Sequence, residues 1–437
     1  MRSLVKNKVV TNAAWIIVCR VFQAVLNLII SMMTARYFGP YNYGLINYAA
    51  SVVAFFVPIM QLGLRNTLVQ EYIQNKDSEG TVLGTSTVMT LASAILCIIG
   101  VTSFSMIANG NEKETIVVCV LYSAVLIFQA SEMIQYWFQV KLLSKYTSIV
   151  SLIAYFLVSL YKIYLLMVQK GVYWFAVSNA LDGLLITIGL FIVYKKIGTS
   201  SISFSWKLAK KMFSKSKYYV ISSMMVTVFG HIGSIALEFV SSKEAVGYYT
   251  AAITCAGMTG FVFNALIDSA RPVILSYKQS DEARFKKSMV TLYSVVFYAA
   301  FLQSIVICCF SPMIVNLLYG SAYIGTIQPL RIIAWYTIFS YFGPVRNIWI
   351  LAEGKQKYLW IINLSGAVLS ISLNFLLIPV LDVSGAAIAA LITQFFTNVV
   401  MSAFIKPLRE NNELMFKGLN PYNLLRLLNH RKQTMYE

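Results

Sequence analysis

The residues best placed to do chemistry are charges that interrupt otherwise apolar stretches. Arg20, Lys162, Arg331 and Arg346 each fall inside a segment long enough to cross a bilayer, as do Glu132, Asp182, Glu238 and Asp268. An ionised side chain near the bilayer centre costs roughly 2.5–3.5 kcal/mol on insertion scales, so such groups normally face a bundle interior or a wet cavity. The four cations are therefore candidates for substrate binding, and the four carboxylates for ion coupling or charge balance. Arginine suits a pyrophosphate, because its planar fork donates bidentate, charge-assisted bonds and stays charged. Simpler explanations compete. Lys162, Arg331, Arg346 and Glu238 lie within reach of an interface and can snorkel, and Asp268 can pair with Arg271 one turn on. Arg20, well inside the first apolar run, is hardest to explain away. Amides within spans, including Gln23, Asn27, Gln135 and Asn179, suit either sugar hydroxyls or hydrogen bonds between helices.

No catalytic constellation accompanies these charges. The chain has no GxxxxGK[ST] phosphate loop, and its two histidines, His231 and His430, exclude an HExxH site. Gly354-Lys355 lacks the upstream glycine of a nucleotide loop and reads as a tight turn. The six cysteines lie in or beside apolar segments without a CxxC pair, which argues against a metal site or structural disulfides. The expectation is a protein that is not an enzyme and carries no cofactor or metal.

The elements that must position the charges are membrane spans. With 437 residues, 58% hydrophobic and 12% charged, the chain has the composition of an integral membrane protein. A span needs roughly 20 mostly apolar residues. The expected fold is all-α, with about twelve transmembrane helices at 12–34, 44–64, 82–107, 115–138, 148–168, 173–194, 218–238, 248–270, 288–310, 329–351, 358–378 and 385–405. Of the 35 lysines and arginines, Arg36, Lys113, Lys170 and Lys243 fall in proposed outer loops, four fall inside spans, and the other 27 fall in proposed cytoplasmic segments. The positive-inside rule then puts both termini in the cytoplasm. The net charge of +18 is thereby explained without nucleic acid.

Lys195–Lys217 divides the chain. It holds seven lysines and no acidic residue, interleaved with Ile202, Phe204, Trp206, Leu208, Met212 and Phe213. Such a segment can lie on an anionic bilayer as an interfacial helix, or be an ordinary solvated loop. The expected organisation is a six-helix lobe over 1–194, this linker over 195–217, a second six-helix lobe over 218–405 and a basic cytoplasmic tail over 406–437. The run Tyr43-Gly44-Leu45-Ile46-Asn47-Tyr48-Ala49-Ala50 resembles Val246-Gly247-Tyr248-Tyr249-Thr250-Ala251-Ala252-Ile253, which suggests a repeat of same-orientation bundles with a central path between them.

Several motifs carry a further resemblance. Ala35-Arg36-Tyr37-Phe38-Gly39-Pro40 with Tyr43-Gly44, then Leu62-Gly63-Leu64 and Tyr136-Trp137-Phe138-Gln139, occur in order. Gly366-Ala367, Leu373-Asn374-Phe375-Leu376-Leu377-Ile378-Pro379 and Gly385-Ala386-Ala387 follow. Together they resemble the bacterial O-antigen and capsule repeat-unit flippases of the multidrug/oligosaccharidyl-lipid/polysaccharide exporter superfamily. The resemblance implies two six-helix lobes around a central cavity in the inner membrane. It also implies alternating access, proposed for the family to be ion-coupled, that moves undecaprenyl-pyrophosphate-linked oligosaccharides to the outer leaflet. Other polysaccharide-assembly proteins and anionic lipids would be partners of what is expected to be a monomer. Val240–Val246 departs from the pattern, with Ser-Ser-Lys-Glu-Ala where a second Phe-Gly-Pro would stand. A multidrug exporter or another lipid-linked precursor flippase fits the same features. A membrane glycan polymerase would be expected to show a sizeable charged outer loop, and none is evident.

Overall fold

The computed structural model describes residues 2–74, 78–110, 112–198 and 201–421, with side chains from Val18 onward except at positions 66 and 279. Among them there is no strand. The helices run in order α1 (Arg2–Met60), α2 (Leu68–Gln74), α3 (Glu79–Asn109), α4 (Lys113–Ser123), α5 (Val125–Ser131), α6 (Ile134–Val140), α7 (Ser144–Met167) and α8 (Val172–Ile197). They continue with α9 (Trp206–Val240), α10 (Lys243–Gly257), α11 (Gly260–Ser280), α12 (Glu282–Leu318), α13 (Ile327–Ala352), α14 (Leu359–Phe395), α15 (Met401–Phe404) and α16 (Arg409–Leu419).

Among the described residues, eight helices are long and apolar enough to cross a membrane, or nine when the bent pair formed by α10 and α11 is taken as one span. This is fewer than twelve for a physical reason. Two of the spans are long enough for two bilayer crossings: Val18–Met60 has 43 residues and Gln356–Phe404 has 49. Each contains one residue off helical geometry, Gly39 (φ 69°, ψ 177°) in α1 and Asp382 (φ 49°, ψ −130°) in α14. Pro40 follows the first break immediately, and Pro379 precedes the second. The helix also bends by 45° between Gly257 and Gly260.

The chain forms two compact units, Met1–Gly247 and Tyr248–Glu437. In the first, α1 packs on α7, α9, α4 and α3, and α8 packs on α7, α4 and α5. At one end of this unit Trp137 stacks edge-on against Tyr194 and donates to Glu79 at 2.8 Å. Glu79 in turn pairs with Lys141 at 2.6 Å. The basic segment is split by the fold. Residues 201–205 run without regular structure along α3, where Thr81 and Ser203 exchange a hydroxyl bond of 2.8 Å and the Ser205 amide donates to the Thr85 hydroxyl at 3.1 Å. Trp206–Lys217 is then the opening of α9, which continues unbroken to Val240. Ser205 caps it, its hydroxyl accepting from the Leu208 amide. Lys211 and Lys215 reach the buried Glu71 of α2 at 3.4 and 2.5 Å.

Two glycines of the repeated runs, Gly44 and Gly247, sit at close backbone approaches within the first unit. A side chain at Gly44 would collide with the Lys243 carbonyl, and one at Gly247 with the Pro40 carbonyl. Each glycine thus lets the backbone of one helix start sit directly on the other.

In the second unit α12 and α13 pack along their length, flanked by α11 and α14. Part of the expected basic tail belongs to this core. Asn411, Leu414, Met415 and Gly418 recur at one-turn spacing and form the buried face of α16. Tyr293 donates to Asn411 and Ser294 to the Gly418 carbonyl, at 2.9 and 2.6 Å. The rest of the tail, 422–437, lies outside the described residues.

Candidate functional site

In α1 the polar residues Arg20, Gln23, Asn27, Ser31 and Thr34 recur every three or four positions, a single stripe down the helix. α7 carries a matching stripe of Ser144, Ser148, Ser151, Tyr155, Ser159 and Lys162. Because α1 packs on α7, the stripes face one another, and the Tyr155 hydroxyl donates to the Asn27 amide oxygen at 2.9 Å. Toward Arg20 the stripes part around a cavity of about 530 Å³. Its lining includes Arg20, Gln23, Arg65, Gln135, Gln139 and Ser151, and it lies wholly within the first unit. Two guanidinium groups, three amides and several hydroxyls give the cavity a lining that can hydrogen-bond an anion bearing hydroxyl groups.

Arg65 reaches the cavity through a backbone reversal. Helix α1 ends at Met60, Leu62 and Gly63 take positive φ (51° and 67°), and a short 3-10 turn over Leu64–Asn66 turns the chain back.

Beyond Tyr155 the interior of the unit carries further titratable side chains. Lys162 donates to Asn179 at 3.2 Å and is in Coulomb range of Asp182. Asp182 is likewise in Coulomb range of Glu132, and Glu132 of Arg65 of the cavity. One oxygen of Asp182 is buried without a hydrogen-bond partner. Four of the charges singled out from sequence, Arg20, Lys162, Glu132 and Asp182, thus belong to one polar tract.

The other four lie elsewhere, with local partners. Glu238 is buried beside Lys243 at 3.9 Å, and Lys243 also bonds Glu112 and the Tyr41 hydroxyl. Asp268 pairs with Arg271 at 3.1 Å. Arg331 donates from Nε to Ser311 at 2.9 Å. Arg346 is 5% exposed and donates to the Thr397 carbonyl at 2.8 Å, inside the π-helical turn Phe396–Val400. A π turn shifts backbone hydrogen bonds, and the guanidinium takes up one of its carbonyls.

Outside the spans two carboxylates are tuned by lysines. Burial pushes the Glu71 carboxyl up, but the ammonium groups of Lys215 and Lys211 more than offset it and hold Glu71 below its ordinary value of 4.5. Glu112 is likewise held low by its hydrogen bond from Lys243, with help from Thr115.

Sequence reasoning missed Arg65, which it assigned to a cytoplasmic loop, and the hydroxyl stripe of α7. The stripe had a legible signal, polar residues at helical period inside an apolar span. The return of Arg65 to the cavity depends on the 62–66 reversal and had none.

Comparison with known proteins adds the family. A family described as polysaccharide biosynthesis protein matches residues 33–328. An uncharacterized membrane protein of Methanocaldococcus jannaschii is 26% identical over 297 residues, covering 64% of this chain and 57% of that protein. The chain therefore spans little more than half of that relative's length. Among solved structures, a multidrug resistance MATE family transporter of the MOP superfamily, inward-facing, superposes with a TM-score of 0.68 at 13% identity, over 90% of this chain and 95% of that one. The lipid II flippase MurJ, inward closed, gives 0.66 at 15% identity over 94% and 92%. The eukaryotic MATE transporter AtDTX14 gives 0.63 at 14% identity over 94% and 98%. These likenesses establish the fold.

Proposed function

Because the chain belongs to the polysaccharide biosynthesis protein family, we propose that it is a flippase for a lipid-linked oligosaccharide. Its substrate in this reading is an undecaprenyl-pyrophosphate-linked repeat unit, moved from the cytoplasmic to the outer leaflet of the cell membrane by alternating access. The observation that carries it is the cavity in which Arg20 and Arg65 stand among Gln23, Gln135 and Gln139.

A pyrophosphate–sugar head cannot cross hydrocarbon unaided, because each unpaired hydroxyl costs several kcal/mol there and each charge far more. Two arginines replace the water around the pyrophosphate, and the amides and the α7 hydroxyls replace it around the sugars. The polyprenyl tail stays in lipid. Lys162, Asp182 and Glu132 then serve as the charge-balancing and ion-coupling groups behind the binding site. Arg331, Arg346, Glu238 and Asp268 are assigned to structural pairing. Taking α1 and α14 as two crossings each, α10 with α11 as one and α13 as one brings the span count to twelve, with both termini cytoplasmic.

The fold is also that of multidrug transporters. A cavity with two arginines repels cations and attracts anions, which favours the anionic substrate. The test is deletion of the gene in its host with the rest of the glycan pathway intact, followed by complementation. The reading predicts surface glycan lost on deletion, repeat units trapped on the inner leaflet, and restoration by the wild type but not by Arg20→Ala. Normal surface glycan in the deletion strain would reject it. Single units on the outer leaflet without long chains would indicate a polymerase instead.

A further inference from the structure

The far end of α8 carries a second cavity, remote in chemistry from the first. Ile188, Ile192 and Lys195 are spaced by one turn each on a single face of α8. With Phe191, Tyr194 and Ile202 they line a groove of about 620 Å³. Its walls are open: Ile188, Ile192 and Ile202 are 47%, 52% and 51% exposed. Lys195, also exposed, is the one charged residue in the lining. From Ile188 to Lys195 the helix rises about 10 Å, so one end of the groove is hydrocarbon in character and the other cationic.

The surroundings extend that polarity. Phe204 and Trp206 are exposed and pack edge to face, ring centroids 5.3 Å apart. Exposed aromatics of this kind sit at the headgroup level of a bilayer. Lys196, Lys207 and Lys210 are exposed as well, and no acidic residue occurs between Lys195 and Lys217 to neutralise them.

We propose that this groove is a binding site for an anionic glycerophospholipid. One acyl chain lies along Ile188 and Ile192, and the phosphate sits at Lys195 with the neighbouring lysines as its field. The apolar groove favours a phosphate that carries an acyl chain over a water-soluble one, and the lysines favour an anionic head over a zwitterionic one. The site is separate from the transport cavity and does not rest on the function proposed for it.

The test uses the full chain purified in mixed detergent with phosphatidylglycerol and phosphatidylcholine, reading retained lipid by native mass spectrometry. Wild type is expected to retain phosphatidylglycerol in preference to phosphatidylcholine. Lys195→Gln should reduce that retention about fivefold, the effect of one lysine near an anionic surface. Ile192→Trp, which fills the groove from an exposed position, should abolish it. Lys357→Gln, an exposed lysine elsewhere, should leave retention at the wild-type level. Equal retention of the two lipids by wild type would overturn the proposal, as would wild-type retention in both groove variants. So would displacement of phosphatidylglycerol by equimolar undecaprenyl phosphate, which would make the carrier lipid the occupant.

Discussion

At the scale of the residue, the account turns on two arginines. A hydrogen bond to a charged group contributes about 1.5–3 kcal/mol, so removing one guanidinium should weaken head-group binding tenfold or more. Arg20→Ala and Arg65→Ala are each expected to lower export by at least that factor. Arg20→Lys should recover part of it, because charge returns without the fork. Arg331→Gln, whose parent side chain already bonds Ser311, should stay near wild type. Surface-glycan assays of complemented strains check all four. Arg20 was legible in the sequence because a cation deep in an apolar run demands an explanation. Arg65 was not, since a cation just past a span looks like every other cytoplasmic lysine or arginine. Glu71 offers a prediction about stability. Its carboxyl is held below 4.5 by Lys215 and Lys211. Its contribution is therefore present above the unfolded value and is lost as pH falls through the lower folded value. The melting temperature of Glu71→Gln in detergent should lie below that of wild type near neutrality, by the equivalent of about 1–3 kcal/mol. The gap should close on acidification below 4.5. A gap unchanged at low pH would mean the lysine pairs contribute nothing.

At the scale of the element, the helices and the breaks within them were legible, but not whether each break ends a helix or bends it. Apolar runs announce spans directly, but whether a helix ends or bends depends on the backbone of one residue. The loops expected at 35–43 and 379–384 contain the two residues that leave helical geometry, Gly39 and Asp382. The basic linker was read as either an interfacial helix or a solvated loop; in the structure its second half is the opening of α9, capped by Ser205, and two of its lysines pair with Glu71. The repeated glycines make a testable pair. Gly39 has open space around it, so Gly39→Ala should cost only backbone strain, about 1–3 kcal/mol. Gly44→Ala places a methyl against the Lys243 backbone and must also push α1 and α10 apart, so its loss of stability should match or exceed that. Thermal unfolding in detergent compares them. Wild-type stability in Gly44→Ala would contradict the close contact of the two helix starts.

At the scale of the whole molecule, composition and charge placement were enough to identify an all-helical membrane protein, because hydrocarbon permits few other solutions. The cavity was not legible. It is assembled from α1, the 62–66 reversal, α6 and α7, and no local pattern says which polar faces converge. The most direct test of the central claim is flipping by the purified chain in liposomes. Fluorescent undecaprenyl-pyrophosphate oligosaccharide would be placed in both leaflets and its outward-facing fraction read by a membrane-impermeant quencher. The account predicts that wild type makes the whole pool accessible over time and that the Arg20→Ala, Arg65→Ala double variant leaves the inner half protected. A wild type that leaves the inner half protected, or a double variant that flips as fast as wild type, would contradict it.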